Sequence, residues 1–155
     1  MKIVCIGGGN RQPALNRALD MSGKPESVLV LPTACSTEKS YHRKVPLIVH
    51  FFKGLGVSAR VLHEFDEVPT HSKIQEEIGK SSLIYTMGGN TPHLIKNLRE
   101  HGTDEILMEA VKKGETVHAG TSAGALLFFN QAHTCPAKNP NLEAWDYEYL
   151  TALGL

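Results

Sequence analysis

Cysteine is scarce in this chain. Its 155 residues include 3, at Cys5, Cys35 and Cys135. An odd, widely spaced set excludes a dense disulfide framework and suits reduced thiols in a cytoplasm. None stands at a zinc-ligand spacing, so no metal is expected, and nothing in the sequence asks for another cofactor. Cys5, inside an apolar strand pattern, reads as a small core residue. Net charge is missing too: 16 Lys and Arg balance 16 Asp and Glu. No basic footprint therefore argues for nucleic acid, and no polybasic segment argues for a membrane surface. No apolar run approaches the ~18 residues of a transmembrane helix. The chain enters a strand at Lys2 with no secretory h-region behind a basic start, so a cytoplasmic location is expected. Gly7-Gly8-Gly9-Asn10 lacks the G-x-G-x-x-G spacing and its acidic partner, which leaves flavin or nucleotide binding there the weakest reading.

What the chain has is alternation. Apolar runs at residues 2–6, 27–31, 57–62, 82–87 and 116–119 read as buried strands, and helical patterns separate them. Pro13 fits the first turn of a helix reaching about Met21. Ser36 or Thr37 caps the next, whose stripe of Val45, Ile48, Val49 and Phe52 is interrupted by Pro46. Ile74 and Ile78 mark a short third helix ending near Gly79. Thr91 as cap and Pro92 as first helical residue open a fourth, and Thr103 or Asp104 caps a fifth that stops at Gly114. Nearly all-apolar strands alternating with helices predict an α/β fold: one domain with a doubly wound, mainly parallel sheet. After Asn130 the pattern fades; residues 132–141 read as loop, and residues 142–155 show no clear period.

The expected centre of the chain is Ala119-Gly120-Thr121-Ser122-Ala123-Gly124-Ala125. A β-branched strand stops at a Gly-Thr-Ser-Ala-Gly turn and an Ala/Leu/Phe helix pattern follows at once, which is the context that makes G-x-S-x-G a nucleophile elbow. Ser122 is then the nucleophile, and the N–H of Ala123, at the positive end of the next helix, faces a developing oxyanion. The bland alternative is a helix-capping Ser or Thr.

A nucleophilic serine needs a base. Among histidines only His133 follows Ser122, and a helical path of eleven residues at about 1.5 Å each would carry it roughly 16 Å away. His118 lies four strand residues below, roughly 13 Å at about 3.3 Å each. His93 is near a glycine turn but reads as a solvated helix-start residue. His42, His50, His63, His71 and His101 read as surface or helix-face residues.

Met87-Gly88-Gly89-Asn90-Thr91, followed some thirty residues on by the Ser122 turn, closely resembles the serine peptidases of family S51, the group containing dipeptidase E and cyanophycinase. The resemblance runs from the first strand to Leu153-Gly154-Leu155. It implies a fold like that of class I glutamine amidotransferases, a flavodoxin-like three-layer arrangement. It also implies Ser122 as nucleophile, Gly89 and Ala123 as oxyanion donors, and Gly88, Asn90 and Thr91 around the substrate. The implied partner is a small peptide, and a homodimer stays open.

Two departures follow from the same resemblance. The family's Pro-His motif, with a further acidic residue, lies beyond the point where this chain stops. Residues 1–155 are thus expected to form one α/β domain lacking the family's C-terminal part, and to be a poor enzyme alone. Where dipeptidase E has an aspartate past its serine, this chain has Pro136, Ala137 and Lys138, which argues against an aspartyl preference. The competing reading is a non-catalytic ligand-binding module of the same fold.

Overall fold

The computed structural model describes residues 1–62, 67–133 and 149–154. His63, Cys135, Pro136, Ala137, Lys138 and Leu155 lie outside the described residues, as does most of the stretch expected to be loop.

Five strands form one parallel sheet: β1 (Lys2–Ile6), β2 (Ser27–Leu31), β3 (Ser58–Val61), β4 (Leu83–Thr86) and β5 (Val117–Thr121), in the order β1-β5-β4-β2-β3. Between them run α1 (Gln12–Met21), α2 (Glu38–Gly54), α3 (His71–Gly79), α4 (Thr91–Glu100) and α5 (Thr103–Lys113). Parallel neighbours need such crossovers, because a hairpin cannot join strands that point the same way.

Side-chain alternation along the strands divides the interior in two. Val28 and Val30 of β2, Tyr85 of β4 and Ala119 of β5 pack with Leu15 and Ala18 of α1 and with Val45, Ile48 and Phe52 of α2. Leu29 and Leu31 of β2 and Ile84 of β4 point the other way, against Ile74 and Ile78 of α3, Leu94 and Leu98 of α4, and Leu107 of α5. All of these strand residues are buried, as a sheet covered on both faces requires. The fold is therefore the doubly wound α/β architecture.

Several local expectations shift by a residue. Asn90, not Thr91, caps α4, its side chain accepting the N–H of His93 at 2.9 Å. Thr37 caps α2, accepting the N–H of Ser40, and Pro46 is absorbed inside that helix. Gly79 is the last residue of α3 rather than its cap. Cys5 is exposed instead of forming core, because β1 is the sheet edge and lacks a neighbour on one side among the described residues. Beyond the short α6 (Ala123–Leu126), β6 (Gln131–His133) pairs antiparallel with β7 (Tyr149–Thr151). Ala132 belongs to β6, so the expected loop does not begin there. These two three-residue strands are too short to leave a sequence period.

Candidate functional site

β5 stands between β1 and β4, whose following helices go to opposite faces: α1 to one and α4 to the other. The loops leaving the carboxyl ends of β1 and β4 therefore diverge, and the crevice between them opens over the end of β5. This is the place where open α/β sheets hold ligands.

Ser122 occupies that place. It leaves β5 with φ 53° and ψ −116°, one of two non-glycine residues with positive φ among those described. An L-residue held there is strained by about 1–3 kcal/mol, and the surroundings must enforce it. Three hydrogen bonds do so. The Ser122 N–H donates to the Ile6 carbonyl at 2.9 Å, and its own carbonyl accepts from Ala125 at 2.8 Å and from Leu126 at 3.1 Å. The flanking glycines are needed for space. A Cβ on Gly120 would overlap the Gly124 carbonyl oxygen, and one on Gly124 would overlap the Thr86 carbonyl oxygen. The outcome is an exposed serine on a buried turn: Ala123 is 1% exposed, whereas Ser122 faces solvent.

The second motif meets the first. A Cβ on Gly88 would lie 3.0 Å from the Cβ of Ser122, so the turn after β4 abuts the turn after β5. Gly89 is pressed against the loop after β2, where a Cβ would overlap the Ala34 carbonyl oxygen, and Asn90 N–H donates to that same oxygen at 2.9 Å. Among the described residues no acceptor takes the N–H of Gly89 or of Ala123. Asn90 spends its side-chain oxygen on the cap of α4, and Thr91 is buried.

Among the described residues Ser122 Oγ has no hydrogen-bond partner. His118 is fully buried in β5, its Nε2 2.8 Å from Thr86 Oγ1 and its ring against Phe128. Burial pushes its pKa down to about 3. The His93 ring faces the Asn97 amide at 3.3 Å, and burial, aided by Lys96, lowers its pKa. No His, Cys, Asp and Glu cluster suited to a metal ion occurs among the described residues, and no helix among them is long and apolar enough to cross a membrane.

A cavity of about 420 Å³ adjoins the elbow on the α1 and α2 side, where it is bounded by Gly88 and Thr121. Arg11 and Lys44 also line it, and neither stood out in the sequence. Arg11 was in principle findable, since it follows a glycine turn at a strand's carboxyl end. Lys44 was not, because only the placement of α2 brings it there.

Fold and turn together define the class: a doubly wound α/β protein with an exposed serine on a strained strand-to-helix turn. The chain belongs to peptidase family S51, whose family model matches residues 3–155. It is 32% identical over 140 residues to the uncharacterized peptidase YgaJ of Bacillus subtilis (strain 168), covering 86% of this chain and 58% of that protein. To the uncharacterized peptidase Lmo0363 of Listeria monocytogenes (strain EGD-e) it is 31% identical over 110 residues, covering 70% of this chain and 50% of that one. The chain thus spans little more than half the length of these relatives. The crystal structure of a peptidase from an acI-B1 actinobacterium superposes with a TM-score of 0.69 at 19% identity, over 98% of this chain and 63% of that one. A Listeria monocytogenes EGD-e structure does so with a TM-score of 0.61 at 20% identity, over 82% and 62%. At these identities the superpositions speak for the fold.

Proposed function

We propose that this chain carries the nucleophile and the oxyanion hole of a serine-type peptidase acting on small peptides. Ser122 Oγ attacks the scissile carbonyl, and the N–H groups of Gly89 and Ala123 receive the oxyanion. The amine departs with a proton, and water then releases the acyl group from Ser122. Gly88, Asn90 and Thr91 shape the pocket around the scissile bond. The observation that carries this reading is the strained, exposed backbone of Ser122, a cost that a mere helix cap has no reason to bear.

The test combines a fluorophosphonate probe with small-peptide hydrolysis by the protein. The probe should attach to Ser122, and both labelling and turnover should vanish in Ser122→Ala. Turnover that survives Ser122→Ala would overturn the assignment. The absence of any hydrogen-bond partner for Ser122 Oγ among the described residues favours a second reading, a non-catalytic module that binds peptides without turnover. Peptide binding with no Ser122-dependent chemistry would establish it.

A further inference from the structure

The cavity beside the elbow has a composition that the chemistry at Ser122 does not account for. Arg11 follows the glycine turn after β1, and Lys44 projects from α2. Both line the cavity together with Leu47 and Phe51, and the Arg11 guanidinium lies 5.9 Å from the Phe51 ring centroid. Among the described residues no carboxylate lines the cavity and no ion pair to Arg11 or Lys44 occurs. This contrasts with α3, where Lys73 and Lys80 both pair with Glu77. Leu47 is 66% exposed, an apolar side chain left uncovered at the edge of this site. Two cations with no carboxylate partner among the described residues, over an apolar wall, select a ligand that bears an anionic group and an apolar surface together.

We infer that this cavity binds the C-terminal residue of the peptide. Its free α-carboxylate sits between Arg11 and Lys44, and an apolar side chain covers Leu47 and Phe51. The inference rests on the peptidase reading for its orientation relative to Ser122, though not for binding itself. Gly88 and Thr121 border both the cavity and the elbow, so a residue held here lies next to the bond that Ser122 would attack. An aspartyl or glutamyl side chain would satisfy the two cations but leave Leu47 and Phe51 bare. That is the reason for assigning the α-carboxylate of an apolar residue. The volume, about 420 Å³, is within the range of small-molecule pockets and suits one residue rather than an extended chain.

The experiment titrates three probes into the protein and follows the amide resonances of Gly88 and Thr121. N-acetyl-leucine carries the α-carboxylate and the apolar side chain, N-acetyl-leucinamide has lost the charge, and N-acetyl-aspartic acid α-amide carries only a side-chain carboxylate. N-acetyl-leucine should bind saturably, and about tenfold or more tighter than either of the others, as loss of a charge-assisted hydrogen bond implies. Its affinity should fall with added salt, and by a similar factor in Arg11→Gln and in Lys44→Met, two substitutions at the cavity rim. Equal binding of the leucinamide, tighter binding of the aspartyl amide, indifference to both substitutions, or no saturable binding would each overturn the inference. Loss of peptide hydrolysis in Ser122→Ala bears on the peptidase reading alone. Probe binding without hydrolysis would leave the pocket standing without the enzyme, and Ser122-dependent hydrolysis without probe binding would do the reverse.

Discussion

Gly88 and Ser122 meet at the ends of neighbouring strands: a Cβ added to Gly88 would lie 3.0 Å from the Ser122 Cβ and 2.8 Å from the Thr121 carbonyl oxygen. Neither distance is tolerable for a real side chain, so Gly88→Ala must push the elbow aside. Overpacking of this kind costs about 1–3 kcal/mol of stability. Displacing a reacting group by about 1 Å costs on the order of a hundredfold in rate. Fluorophosphonate labelling of Ser122 should therefore slow sharply in Gly88→Ala while the circular dichroism spectrum is retained. An unchanged labelling rate would mean that the two turns do not constrain each other.

Ser122→Gly should separate stability from reactivity. Glycine adopts φ 53° without the Cβ penalty, so strain is relieved, and part of the gain is returned as unfolded-state entropy. A net stabilisation of about 1 kcal/mol is expected, or roughly 2–4 °C in Tm for a chain of this size, with all labelling lost. A lower Tm would show that Ser122 is not held under strain.

The buried His118 makes the fold sensitive to mild acid. Its folded pKa, about 3, is far below the ordinary histidine value near 6.5. The unfolded chain therefore binds a proton that the folded chain refuses, and stability falls as pH drops from about 6.5 towards 3. Between pH 7 and pH 5 the loss should be about 2 kcal/mol. Urea titrations at the two pH values measure it. In His118→Leu the difference should shrink by that amount, whatever the variant's absolute stability. A pH dependence unaltered by the substitution would clear His118 of the role.

Glu77 is the hub of the charged network on α3, paired with Arg60, with Lys73 at 3.0 Å and with Lys80 at 2.6 Å. Burial alone would raise its pKa, but the bonds to Lys80 and Lys73 and the charge of Arg60 hold it below the usual carboxylate range. Its contribution is present above about pH 4 and is lost as pH falls further. Glu77→Gln should cost about 1–2 kcal/mol at neutral pH, whereas Glu76→Gln, on the exposed side of the same helix, should leave the urea midpoint in place. Equal effects from the two would remove burial as the reason Glu77 matters.

Much of this architecture was legible because its signals are local. A buried parallel strand must be apolar along its length, so the five strands of the sheet stand out in the sequence. The elbow was legible for a similar reason. A turn as tight as that at Ser122 demands glycines two residues either side, and Gly120 and Gly124 stand there. Most helix ends are legible to within a residue, but Asn90 takes the cap of α4 from Thr91 because its side-chain oxygen reaches the His93 N–H, and Gly102, not Thr103 or Asp104, caps α5.

Cys5 and His118 show where local reading stops. Both lie in apolar strand patterns, yet Cys5 is exposed and His118 is fully buried. Strand order separates them: among the described residues β1 is the sheet edge and β5 lies inside it, and no residue in either strand encodes its neighbours. The same holds for the cavity. Arg11 and Lys44 are 33 positions apart in sequence, and the crossover of α1 and α2 over one face of the sheet brings them together. The sequence by itself determined the five strands of the parallel sheet, the helices between them and the strained serine, since each depends on steric and hydrophobic demands within a few residues. Tertiary structure alone decided that Gly88 abuts Ser122, that β1 lies at the edge, and that two cations share a wall with Leu47 and Phe51. Those relations arise from packing between segments distant in the chain, where the energy of one residue depends on partners its neighbours do not specify.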